Sequence, residues 1–233
     1  MPQGGMTRLF SRHPNRPSFL PHLPLQVQSS GYMPEILPIR LYGDPVLKKK
    51  AQPVQDFSGI PALAENMLET MFEARGVGLA APQVGLSQRL FVAAEYLEDD
   101  QEEGSEADLK TRVKELYVMV NPVITYRAGR QSILEGCLSL PGLYAEGAQR
   151  DLQVRVEYQD EKGQKKALEA EGYLAVVLQH EIDHLDGILF FQRMPFADRQ
   201  KFLEEHREDL AEFQRQAKAF LREEALRQSG KHK

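Results

Sequence analysis

The sequence predicts an α+β fold: short, mostly antiparallel strands packed around one buried helix at residues 172–185, with a long C-terminal helix outside. Three observations lead to it. Ile60, Leu63, Ala64, Met67, Leu68, Met71 and Phe72 repeat at spacings of three and four, which gives a helix one apolar face. Leu152–Tyr158 and Lys165–Ala170 flank Asp160-Glu161-Lys162-Gly163 and read as a hairpin. Residues 198–228 are charged and amphipathic, with Leu203, Leu210, Phe213, Ala217 and Phe220 on one stripe.

Taken in order, residues 1–33 stand apart. Residues 1–34 hold six of the fourteen prolines, three arginines and no acid. Such a stretch has the acid-poor character of an organellar transit peptide, but prolines at 14, 17, 21 and 24 break any long targeting helix. The expectation is a disordered or non-native N-terminal extension over 1–33, with Met33 as an alternative start. The working domain is then 34–197, followed by an amphipathic helix over 198–233. Within the domain, helix 59–75 starts at Ser58 as N-cap and stops at Gly76. Arg89–Ala94 and Leu116–Ile124 read as strands. Between them, residues 95–108 carry eight acids and no base, the composition of a solvated, mobile loop. Helix 172–185 stops near Gly187. His206 falls on the apolar stripe of the last helix and reads as a packed side chain rather than a ligand.

With 233 residues the chain can bury one sizeable core. It lacks any apolar run near the ~20 residues of a membrane span, so no membrane partner is expected. A net charge of −5 argues against a protein that coats nucleic acid, and no DNA partner is expected. The single cysteine, Cys137, excludes an intrachain disulfide and points to a reducing compartment.

The sharpest chemical signal is His180-Glu181-Ile182-Asp183-His184. On a helix, positions i and i+4 lie about 40° apart, so both imidazoles project from one face as a shared metal ion requires. Glu181 lies about 60° from His184 on the same side, within reach of a metal-bound water. Two histidines do not hold a catalytic metal firmly; a third ligand is needed, with one position left open. Cys137, in Glu135-Gly136-Cys137-Leu138-Ser139-Leu140-Pro141-Gly142, supplies a sulfur suited to a borderline cation. Glu135 reads as a structural residue that holds this loop through backbone hydrogen bonds. Asp183 is either a partner for a histidine ring or an anchor for Arg150.

These motifs carry a resemblance. Gly76-Val77-Gly78-Leu79-Ala80-Ala81-Pro82-Gln83, Glu135-Gly136-Cys137-Leu138-Ser139 and His180-Glu181-Ile182-Asp183-His184 resemble, in order and spacing, the three signature motifs of peptide deformylases. The similarity runs from about Leu37 to Phe191. It implies an enzyme that removes the formyl group from N-formylmethionine on nascent proteins. It implies one divalent metal on Cys137, His180 and His184, with ferrous iron the usual form and zinc, nickel or cobalt able to substitute. Glu181 would act as general base and acid, and the Gln83 amide and the Leu138 N–H would stabilise the oxyanion; Gln83 alone reads as a turn residue capping a backbone group. Gly76, Val77 and Gly78 would offer a narrow backbone edge to an extended substrate. Tyr173, Val176 and Val177 share a helix face with the histidines and form an apolar wall fit for a methionine side chain.

The family further implies work beside the ribosome, with the C-terminal helix as a docking element; residues 199–233 hold nine basic and seven acidic residues. The expected location is the bacterial cytoplasm, or a plastid or mitochondrion if residues 1–32 form a transit peptide. Two other readings stay open. One is a different HExxH metallopeptidase or amidohydrolase acting on uncleaved peptides. The other is a non-catalytic metal- or peptide-binding module, which has no need of Glu181.

Overall fold

A computed structural model describes residues 33–97 and 109–230. The extension 1–32 and most of the acidic stretch lie outside the described residues. Helix α1 (Ile60–Glu73) is followed by strand β1 (Gly78–Ala80), a 3-10 turn (Ala81–Val84) and strand β2 (Leu90–Tyr96). Strands β3 (Val113–Ala128), β4 (Glu135–Cys137), β5 (Leu140–Ala145), β6 (Gln153–Gln159) and β7 (Lys165–Glu171) lead into helix α2 (Gly172–Leu185). Helices α3 (Phe196–Glu205) and α4 (Arg207–Gly230) follow. The expected α+β architecture is what forms: a five-stranded antiparallel sheet in the order β1-β2-β3-β6-β7, and a separate β4-β5 hairpin.

β2 shows why the sheet sits where it does. Its residues alternate sides as a pleated strand must. Phe91 and Ala93 join Ala175, Val177, Leu178 and Ile182 of α2. Leu90, Val92 and Ala94 join Ile60, Ala64, Met67 and Met71 of α1. The strand is therefore buried on both faces, and α2 lies in the middle of the molecule. β1, by contrast, ends the sheet, and among the described residues no strand pairs with its outer edge.

Four details differ from the sequence reading. The N-cap of α1 is Gly59, not Ser58, and no side chain caps it. At its C-terminus the left-handed residue is Arg75 (φ 54°), not Gly76. The Gly76 N–H reaches back to the Met71 carbonyl at 2.8 Å, and the Arg75 N–H to Phe72 at 2.9 Å, so the helix closes in a Schellman motif. The single helix expected over 198–228 is two helices broken at His206 (φ −107°, ψ 21°). Its ring packs 4.7 Å from that of Phe202, as a packed side chain should. Finally, β2 and β3 run beyond their expected ends, and Glu95 and Tyr96 of the acidic stretch belong to β2.

Candidate metal centre

The β4-β5 hairpin brings Cys137 to α2. Donor atoms of Cys137, His180 and His184 all lie within 4.8 Å of one another, with Cys137 Sγ 3.2 Å from His184 Nε2. Both histidines are buried, at 8% and 1% exposure. The residues fit a divalent cation for three reasons. Two imidazoles and a sulfur are a borderline-soft donor set. Second, the groups around the His180 ring favour positive charge: burial opposes it, but the bonds the ring makes to Cys137 and Glu135 raise its pKa to about 10. A cation held at Nε2 takes the place of that proton and meets the same favourable surroundings. The third reason is that Glu181 Oε2 is buried without a hydrogen-bond partner, which costs energy unless a ligand meets it.

Glu135 orients the first ring. Its Oε2 lies 2.9 Å from His180 Nδ1, which leaves Nε2 for a cation. Both Glu135 oxygens also accept from Arg150 at 2.8 Å. Burial alone would raise this carboxyl, yet the His180 and Arg150 bonds bring it down to about 2. The expectation of backbone hydrogen bonds for Glu135 is thus replaced by a buried ionic network. Asp183 anchors Arg150, accepting from Nη1 at 2.6 Å, and also binds Arg193. His184 differs from His180: burial first, then the charges of His180 and Arg150, push its ring well below the usual histidine range.

Glu181 is buried at 4% exposure, and that burial raises its carboxyl to about 7. Its carboxylate lies against Gly78, where a Cβ would fall 2.8 Å from Glu181 Cδ. Gln83 is fixed at both ends. Its Oε1 accepts from the Ala80 N–H at 2.8 Å, and its Nε2 points to Cys137 Sγ (3.7 Å) and Ser139 Oγ (3.3 Å). The capping bond aims the amide nitrogen at the metal ligands.

A cavity of about 450 Å³ opens onto this centre. It brings together Gly76, Val77, Gly78, Gln83, Cys137, Leu138, Tyr173, Val176, Val177, His180 and Glu181. Val176 and Val177 are buried wall, whereas Tyr173 is 57% exposed and stands at the mouth. Leu134 and Tyr144, also largely exposed, complete the mouth and carry no sequence signal. Nor does the sequence mark the Glu135–Arg150 pair as part of the centre.

Comparisons with known proteins agree with this geometry. The polypeptide deformylase family model matches residues 36–200. The chain is 63% identical over 188 residues to a peptide deformylase of Thermus thermophilus, covering 81% of this chain and 97% of that protein. Its fold is similar to a crystal structure of peptide deformylase from the same species, with 61% identity and a TM-score of 0.71 over 78% of this chain and 99% of that one. A peptide deformylase from Synechococcus elongatus, solved in complex with actinonin, gives 37% identity and a TM-score of 0.62 over 72% and 86% of the two chains.

Proposed function

The chain belongs to the peptide deformylase family, a metal-dependent hydrolase with a Cys137–His180–His184 centre, and we propose that it removes the formyl group of N-formylmethionyl nascent peptides with Glu181 carrying the proton. The observation behind this is the buried Glu181 carboxylate, one oxygen unpartnered, beside the three ligands. A divalent cation supplies, when bound, Lewis acidity and a water whose pKa falls from 15.7 toward ~7. Glu181 takes the proton of the attacking water and returns it to the leaving amine as the carbon–nitrogen bond breaks, giving formate and a free N-terminus. The oxyanion is met by the Gln83 amide and the Leu138 N–H; one such donor is worth roughly 3 kcal/mol.

The peptide lies along the open edge of β1, where Gly76, Val77 and Gly78 let its backbone approach. The methionine side chain packs on Val176 and Val177, with Tyr173 at the mouth. Ferrous iron is the cation we assign, and zinc, nickel or cobalt suit the same donors. We place the enzyme in the bacterial cytoplasm, consistent with one cysteine and bacterial relatives; a transit peptide over 1–32 would move it to a plastid or mitochondrion. No helix among the described residues is long and apolar enough to cross a membrane. The catalytic domain is taken as 34–197, and α4, with its mixed charge, as a ribosome-docking element testable by co-sedimentation with and without 199–233.

The deciding experiment measures formate released from formyl-Met-Ala-Ser against methionine released from Met-Ala-Ser, with metal content on the same sample. Formate release alone is expected. Methionine release without formate would make the protein another HExxH peptidase, and neither product would leave a binding module.

A further inference from the structure

Residues 40–44 link the C-terminal helix to the centre by hydrogen bonds, beside the apolar cluster that Leu210 and Phe213 share with Leu140 and Cys137. The Arg40 N–H donates to the Gln83 carbonyl at 2.7 Å, and the Tyr42 N–H to the Ser139 carbonyl at 2.9 Å. Gln83 and Leu138, the neighbour of Ser139, are the two donors assigned to the oxyanion. One stretch of main chain therefore ties together the two loops that carry them.

That stretch is held from α4. The Arg40 guanidinium, buried at 9% exposure, makes two parallel bonds to Glu224, at 3.0 and 2.7 Å. It also lies 4.4 Å over the ring of Phe220. Gly43 packs on Gln214 so closely that a Cβ there would fall 2.8 Å from the Gln214 Cα. On its other side the guanidinium rests on Gly85, the residue that ends the turn bearing Gln83; a Cβ at Gly85 would fall 2.9 Å from Arg40 Cζ. Arg40 thus touches the Gln83 turn through both its main chain and its side chain. Its other carboxylate, Asp44, lies at 3.7 Å, so a guanidinium that loses Glu224 keeps one long pair and must shift toward Asp44 or water. Small misplacements of positioning groups are costly to the chemical step.

We propose that Arg40, clamped by Glu224 and Phe220 of α4, is a positioning residue for the oxyanion donors, so that the C-terminal helix sets the rate of deformylation. The proposal rests on the reading of Gln83 and Leu138 as those donors.

The test compares Glu224→Ala, Glu224→Asp and Arg215→Gln in the full, metal-loaded enzyme, well below melting. Arg215→Gln breaks an exposed pair within the same helix, between Arg215 and Glu212. Glu224→Ala is expected to lower kcat for formyl-Met-Ala-Ser three- to tenfold, with KM and metal content unchanged. Glu224→Asp should restore part of that loss, and Arg215→Gln should leave kcat as it is. A lower melting temperature for Glu224→Ala with unchanged kcat would make the clamp merely structural and overturn the proposal. An equal kcat loss in Arg215→Gln would do the same. Gln83→Ala, measured alongside, separates the two layers: full activity there defeats the oxyanion reading itself, whereas its loss with an inert Glu224→Ala defeats only the clamp.

Discussion

Glu135 Oε2 stands 2.9 Å from Nδ1 of His180, and the same carboxylate takes two bonds from the buried Arg150. One acidic side chain thus orients a metal ligand and neutralises a cation with 2% exposure. Glu135→Gln keeps the shape and removes the charge. It is expected to weaken metal binding about 10- to 100-fold in a chelator competition, as loss of a ligand's orienting partner usually does. Glu135→Leu strands the Arg150 charge against Asp183 alone, and should cost about 3–5 kcal/mol in denaturant unfolding. Unchanged affinity in Glu135→Gln would remove the orienting role.

Glu181→Gln should retain its metal and lose at least about 10²-fold in kcat, the lower end of what a general base contributes. Full activity in a metal-replete sample would exclude Glu181 as the proton carrier.

Gly78 has no room for a side chain because the Glu181 carboxylate occupies it. Gly78→Ala is therefore expected to lower kcat about tenfold or more with metal retained, by displacing that carboxylate. In a Glu181→Gln background the same change should cost little, since coupled sites are not additive. Additive losses in the double variant would place the effect of Gly78 on substrate binding instead.

Tyr96 donates to the Gly76 carbonyl at 3.3 Å, and its phenol is pushed up to about 12 by burial and, to a lesser degree, by Tyr173. The unfolded chain releases this proton near pH 10, before the folded one does. The unfolded state then binds fewer protons, and stability falls as pH rises from about 10 to about 12. Melting temperatures across that range should drop less steeply in Tyr96→Phe than in the parent. Identical slopes would assign the alkaline loss to other groups.

Much of the centre is legible in the sequence because its signals are local. The i, i+4 histidines share a helix face by geometry alone, and α1 announces itself by its apolar period. The Glu135–Arg150–Asp183 network is not legible, because its members lie 15 and 33 residues apart and meet only after the hairpin folds against α2. The break at His206 is hidden for a different reason. The apolar stripe continues through it, from Phe202 and Leu203 to Leu210, so periodicity carries no mark of the change in backbone angle. The Schellman closure shows a near miss of the same kind. Gly76 has the residue type of a helix stop, but its N–H serves the motif while Arg75 takes the left-handed turn.

The deep seat of His184 has a consequence for how the protein is loaded. With that ring shut in at 1% exposure, and Cys137 and His180 facing the cavity, a cation is expected to arrive by the doorway proposed for the peptide. An occupant lodged against Val176 and Val177 is then expected to bar exchange, shielding the ion from chelators and the sulfur from oxidants. On that expectation the idle enzyme, not the working one, loses its ion to chelators and its sulfur to oxidants.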